Sequence, residues 1–344
     1  MTLADTLKGM IGLDPTGHAD ADMKAVLDAL KSLHPKPIED CSVTEARQQP
    51  LASDAVNRLI DDPAFGARLV AEPNAVSTED IVIPCGGDGH AGTNPARVYA
   101  PRGDGPFPVI LYFHGGGWVL ADLDTYDATP RAMAARTRAI VVSAHYRQAP
   151  EHRLPAAHDD AFAAWRWLID NAVALGGDAQ RLAVMGESAG GNLAINVSIR
   201  ARDEGVRMPL HQALIYPVAS NNIVSISYEE NRNAKPLNKA MMLWFLQNVI
   251  NGDSDLTSPL IDVVSAHLAR LPPTAIVTAG IDPLRSDGEK LAEKLHGAGV
   301  PVEHRNYRGA THEFFGMAAV VQAARDAQAF VAQSQRQALG GVES

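Results

Sequence analysis

Three short stretches hold residues whose types and spacing could do chemistry. In "RLAVMGESAGGNLAINVSI" an apolar, β-prone run enters Gly186-Glu187-Ser188-Ala189-Gly190 and leaves as a helix carrying Leu193, Ile195, Val197 and Ile199. A G-x-S-x-G between strand and helix puts its serine on a tight turn that pushes the hydroxyl outward, with the helix N-terminus facing any negative charge that develops there. A serine hydroxyl becomes a nucleophile only with a base to take its proton and an acid to hold that base. Downstream, Asp282 follows the β-like run "TAIVTAG", and His312 lies in "YRGATHEFF" after the run "VEHRNY". Both sit at C-terminal ends of expected strands, the edge on which open α/β sheets build their sites. The order serine, acid, histidine suits one catalytic set.

Other candidates for these roles fit worse. Asp287 falls where the next helix opens, a position an acid takes for the helix dipole. His304 lies inside a strand pattern, and His296 sits near Gly297 at a helix end.

The third stretch, "VILYFHGGGWVL", ends a buried-type strand in His114, three glycines and Trp118. Glycines lose the most backbone entropy on folding, so a run of them implies a need for bare backbone. Acyl transfer supplies the need, because the oxyanion wants N–H donors at close range. Gly116 and Gly117 are the expected donors, with Ala189, the residue after the nucleophile, as a third. A dinucleotide fingerprint fails because Leu120 stands where its last glycine belongs, and G-K-[ST] is absent. "THEFFGM" is no zincin helix, since Gly316 occupies the second histidine position. The cluster Glu151, His152, His158, Asp159 and Asp160 in "YRQAPEHRLPAAHDD" could suggest a metal but reads better as a loop and helix start, and no metal or cofactor is expected.

These residues need a scaffold, and the chain has 344 residues of ordinary globular composition. Its formal net charge of -10 and lack of a basic run argue against nucleic acid or an anionic membrane as the main partner and favour a small molecule. No window offers a membrane span. The acidic N-terminal stretch has no secretory h-region, and the two cysteines, Cys41 and Cys85, are too few for a disulfide framework, so a cytoplasmic location is expected.

Residues 19–33 place Met23, Val26, Leu27, Leu30 and Leu33 on one helical face, stopping before Pro35, and 53–70 reads as a second helical region. Runs at 78–86 and 95–101 suggest an antiparallel pair, and from residue 107 six apolar strands alternate with helical patterns, the signature of a parallel sheet covered on both faces. Trp165, on one of these helices, is expected in the core. The polar interval from Ala219 to about Leu246 breaks that rhythm and reads as a lid.

The blocks "HGGGW", "YRQAPEHRLPAAHDD", "GESAGGNLA", "DPLRSDG" and "HEFFGM", in this order and spacing, resemble the hormone-sensitive-lipase-like (family IV) bacterial carboxylesterases over nearly the whole chain. The resemblance implies an α/β-hydrolase fold, a mostly parallel central sheet flanked by helices. It also implies a helical cap from residues 1–75 and 219–246 on a catalytic domain of 76–218 and 247–344. Short- to medium-chain acyl esters are the implied substrates. By motif position Ser188 matches the nucleophile, Asp282 the acid, His312 the base, and Gly116, Gly117 and Ala189 the oxyanion donors. Trp118, Met241, Trp244 and Phe245 are the acyl-pocket candidates, with packing of an apolar lid face as the alternative. Dimers occur among members, so a homodimer is compatible.

The chain departs from the family pattern at Glu187, at Ser286 and Asp287, and at Glu313, where glycine is common. None of these removes a member of the triad. The same set could serve an amide, lactone or carbamate substrate, or belong to a ligand-binding homologue such as the plant hormone receptors, which lack the histidine retained here as His312.

Overall fold

A computed structural model describes residues 14–63, 76–87 and 92–340. Eight strands form one sheet: β1 Val76–Pro84, β2 Thr93–Pro101, β3 Phe107–Phe113, β4 Ile140–Ala144, β5 Gly177–Glu187, β6 Gln212–Ile215, β7 Thr274–Ile281 and β8 Val302–Thr311, in the order β1-β2-β4-β3-β5-β6-β7-β8. β2 runs antiparallel to both β1 and β4, and every other neighbouring pair is parallel. Among the described residues the eight longer helices are α1 Ala21–Ser32, α2 Ala52–Asp61, α3 Ala128–Thr137, α4 Ala156–Asn171, α5 Ala189–Asp203, α6 Lys239–Val249, α7 Arg285–Gly297 and α8 Gln322–Ala338.

Strand β3 shows why the sheet must be covered on both faces. Val109 to Phe113 are all fully buried, yet successive side chains of a strand point to opposite faces. Leu111 and Phe113 accordingly join a core with Phe162 and Trp165 of α4, Leu193 and Val197 of α5, and Leu291 of α7. Ile110 and Tyr112 join a second core with Met133 of α3 and Phe330 and Val331 of α8. Continuous apolar runs are the sequence image of that two-sided burial.

Helix α1 falls where periodicity places it, with Met23 and Val26 in the second core. It is tied to the strand that leads to His312: the Asp20 N–H donates to the Gly309 carbonyl at 2.9 Å, and the Thr311 hydroxyl to the Met23 sulfur at 3.4 Å. The second helical region is seen as α2, and its expected continuation from 64 to 70 lies outside the described residues.

The interval between β6 and β7 contains a single turn, Ile226–Glu230, and then α6, which runs to Val249 and so crosses the boundary expected at 246. Asn238 caps α6 through the Met241 N–H at 2.8 Å and donates to Glu39 at 2.7 Å, fastening the insertion to the N-terminal segment. No helix among the described residues is long and apolar enough to cross a membrane. Cys41 and Cys85 are both free thiols.

The charged block at 147–160 is held by ion pairs and polar bonds. Arg47 takes Glu151 at 2.7 Å, Arg200 takes Asp159 at 2.8 Å, and His158 Nε2 lies 2.9 Å from the side-chain amide oxygen Oδ1 of Asn192. Asp160, with its side chain wholly buried, pairs with Arg147 at 2.7 Å and accepts the Gly86 N–H at 2.7 Å. One carboxylate thus joins the end of β1, the loop after β4 and the start of α4. Removing one partner of a buried ion pair leaves an uncompensated charge, so Asp160→Ala is expected to lower the unfolding free energy by about 3–5 kcal/mol. Urea denaturation checks this, and a loss below about 1 kcal/mol, typical of an exposed pair, contradicts it.

Candidate active site

β5 ends at Glu187 and α5 begins at Ala189, leaving Ser188 alone at the junction with φ 56° and ψ −117°. A residue with a Cβ is disfavoured at positive φ, and such strain persists only where the surroundings enforce it. Here the Ser188 N–H donates to the Ile215 carbonyl at 2.8 Å, while its own carbonyl accepts from Asn192 at 3.1 Å and Val218 at 3.2 Å. The flanking glycines permit the close packing. A Cβ on Gly186 would lie 2.0 Å from the Gly190 carbonyl oxygen, and one on Gly190 would lie 2.1 Å from that of Phe113.

His312, immediately after β8, places Nε2 at 3.0 Å from the Ser188 hydroxyl. Its Nδ1 lies 2.7 Å from Asp282 Oδ2, and the other carboxylate oxygen accepts the Leu284 N–H at 2.9 Å. A carboxylate at Nδ1 fixes the proton there and leaves the Nε2 lone pair facing the serine. All three residues are buried, at 5%, 4% and 0% exposure for Ser188, His312 and Asp282. Burial opposes an imidazolium, but the negative charge of Asp282 and its hydrogen bond outweigh it and hold His312 above the ordinary imidazole value.

The rival residues have other work. Asp287 accepts the Ala219 and Ser220 N–H groups at 3.1 and 3.0 Å, at the root of the insertion. His304 lies 2.9 Å from the Thr278 hydroxyl, and His296 is exposed in the last turn of α7.

In the glycine loop Gly116 and Gly117 have φ of 95° and 61°. A Cβ at Gly116 would meet the Leu120 carbonyl at 2.2 Å, and one at Gly117 would meet the Phe245 ring at 2.3 Å. Both glycines line a cavity of about 830 Å³ together with Ser188 and His312. Ala189 is the first residue of α5, where N–H groups have no partner within the helix and the dipole is positive. The arrangement can therefore activate a hydroxyl and receive an oxyanion beside it.

Of the four expected pocket residues, Met241 and Phe245 line the cavity and Trp118 and Trp244 do not. Trp118 has φ 60°, which turns it back into the core at 1% exposure, with its ring 6.3 Å from that of His158. The Trp244 indole N–H donates to the Cys41 carbonyl at 3.1 Å, holding that ring against the N-terminal segment. Sequence reasoning missed Leu27 and Leu30 of α1, along with Ile38 and Leu51. Their apolar periodicity was visible, but it does not distinguish a face turned to a core from one turned to a cavity.

The departures from the family pattern also have positions. Glu187 is fully buried behind Ser188 and accepts the hydroxyls of Tyr112, at 2.6 Å, and Tyr216. Burial raises its pKa against the pull of those bonds. Glu313, at φ 68°, lines the cavity next to His312, and burial raises it too. Ser286 accepts the Ser227 N–H at 3.3 Å and donates its own N–H to the Ser227 hydroxyl at 3.0 Å, so it links α7 to the insertion. Among the described residues no group of three or more His, Cys, Asp or Glu side chains is placed to hold a metal ion.

A family model described as alpha/beta hydrolase fold matches residues 110–316. Carboxylesterase NlhH of Mycobacterium tuberculosis is 42% identical over 240 residues, 68% of this chain and 75% of its own. Ethyl acetate hydrolase of Pseudomonas putida is 34% identical over 296 residues, 84% of this chain and 91% of its own. An esterase from Pyrobaculum calidifontis, solved as a structure, superposes with a TM-score of 0.79 at 34% identity, covering 90% of this chain and 97% of its own.

A base works only when unprotonated, so kcat/KM is expected to rise with pH along a limb whose midpoint lies above 6.5, the ordinary histidine value. Asp282→Asn, which removes the charge that holds the midpoint up, should move the limb down and lower kcat by about ten-thousandfold. A wild-type limb at or below 6.5 contradicts the electrostatics described for His312.

Proposed function

The chain belongs to the α/β-hydrolase family and is a carboxylic ester hydrolase of the serine type, and from that premise we propose that Ser188, His312 and Asp282 carry the reaction. The observation that carries the reading is the unbroken line of hydrogen bonds from Asp282 through His312 to Ser188, 2.7 and 3.0 Å long, ending in a cavity bordered by Gly116 and Gly117.

His312 Nε2 takes the Ser188 proton as the oxygen attacks the ester carbonyl carbon. The N–H groups of Gly116, Gly117 and Ala189 receive the tetrahedral oxyanion, and Asp282 steadies the imidazolium. The imidazolium then protonates the departing alkoxide, leaving an acyl group on Ser188. Water, deprotonated by the same nitrogen, releases the acid and restores the serine.

Short- to medium-chain acyl esters suit the cavity, because Met241, Met242 and Phe245 of α6 and Leu27 and Leu30 of α1 all line it and offer apolar walls to an acyl chain. The N-terminal segment and the insertion act as the cap that closes this cavity, a reading supported by the Asn238–Glu39 and Trp244–Cys41 contacts between them. Two free thiols favour a reducing compartment, in keeping with a cytoplasmic enzyme.

The test is hydrolysis of p-nitrophenyl esters from acetyl to palmitoyl, with Ser188→Ala run beside the wild type. The rate should peak at short to medium chains and fall by at least about a thousandfold in the variant. Turnover retained in Ser188→Ala overturns the nucleophile assignment, and a rate that climbs through palmitoyl overturns the acyl range.

A further inference from the structure

Behind the glycine loop lies a pair of histidines outside the triad. His114 is fully buried, and its Nδ1 is 2.8 Å from the Gly115 carbonyl oxygen. A carbonyl oxygen can only accept, so this nitrogen carries the proton. His114 Nε2 is 3.0 Å from His145 Nδ1. Burial, with some help from His145, pushes His114 down to about 3, so its Nε2 is an unprotonated acceptor in the working enzyme. His145 Nδ1 must then be the donor.

The Gly115 carbonyl also shares the single proton of the Tyr146 hydroxyl, 3.1 Å away, with the His114 carbonyl at 3.0 Å, and the same hydroxyl oxygen lies 3.4 Å from the His114 Nδ1–H, which it can accept. The rings of His114 and His145 stack at 5.2 Å and 18°, and the backbone N–H of His145 is anchored to the Pro95 carbonyl at 3.0 Å. The carbonyl of Gly115 and the N–H of Gly116 belong to one peptide unit, and in a trans peptide they point in opposite directions. Fixing the oxygen on the side of His114 and Tyr146 therefore turns the Gly116 N–H the other way, and Gly116 lines the cavity it shares with Ser188.

We propose that His145 is a positioning residue for ester hydrolysis: its Nδ1–H bond to His114 Nε2 holds His114 in the Nδ1-protonated form that pins the Gly115 carbonyl and aims the Gly116 N–H at the oxyanion. The proposal rests on the oxyanion role given above to the glycine loop. It assigns His145 no contact with substrate, so its loss should be felt in the transition state and hardly in binding. An amide nitrogen on the same stem can replace the imidazole Nδ1 as donor, which a phenyl ring of similar shape cannot.

The experiment combines ring-nitrogen NMR of histidine-labelled protein with the steady-state kinetics of His145→Phe and His145→Asn on p-nitrophenyl acetate. In the wild type His114 should show a protonated Nδ1 and an unprotonated Nε2. His145→Phe should lower kcat by about tenfold or more while KM stays within about twofold, and His145→Asn should recover most of that loss. A His114 proton found on Nε2 overturns the proposal whether or not either variant folds. So does a His145→Phe enzyme with wild-type kcat, or one whose loss is not recovered by Asn. Failure of the underlying oxyanion reading looks different: the tautomer would be as stated, but a trifluoromethyl ketone, which forms an oxyanion adduct on Ser188, would leave the Gly116 amide resonance unshifted.

Discussion

Ser188 occupies a backbone conformation that a residue with a side chain avoids, and much of the molecule is arranged to keep it there. Its N–H is anchored to β6 and its carbonyl to the segment beyond β6, while β5 and α5 press so closely that Gly186 and Gly190 admit no Cβ. Such a turn is sustained only by rigid neighbours. The two cores provide them, since β3, β5 and β6 are buried on both faces and cannot shift without disturbing close packing on each side. Strain at one residue thus depends on burial contributed by the whole sheet.

Behind Ser188 the same logic governs polar groups. Glu187, next to Ser188, is a carboxyl in an apolar setting, and it is accommodated by hydroxyls from Tyr112 on β3 and Tyr216 after β6. The Tyr216 ring also packs at 4.6 Å from His312, so one side chain touches both the carboxyl beneath the elbow and the imidazole above it. The family pattern flagged Glu187 as unusual, and the structure makes it a buried cross-tie between three neighbouring strands, which the spacing of residues could not reveal.

What was legible in the sequence follows from which interactions are local. The strand runs, the elbow glycines, and the places of Asp282 and His312 are written in short segments whose periodicity and order are sufficient. Helix α1 was legible as an amphipathic element for the same reason. The partners of its apolar face were not, because Leu27 and Leu30 line the same cavity as residues of α6, more than two hundred positions further along the chain. Trp118 and Trp244 mislead for a related reason: an aromatic residue beside a site looks like a pocket wall until its backbone angle, or a distant carbonyl such as that of Cys41, shows which way it turns. The two histidines behind the glycine loop lie thirty-one positions apart, and no pattern in either neighbourhood joins them.

The fastening of α1 to the end of β8 carries a consequence for how such an enzyme can be altered. Asp20 bonds Gly309, Met23 meets Thr311, and the Asp22 carboxylate accepts the Gln322 N–H at 2.7 Å, so the helix that walls the cavity is bolted on both sides of the loop bearing His312. Selectivity and reactivity are therefore not independent modules. A graft that exchanges the N-terminal helix for one of different length would alter the seat of His312 along with the shape of the cavity. Diversification has a freer route through α6, whose Met241 and Met242 reach the cavity from an insertion with its own attachments.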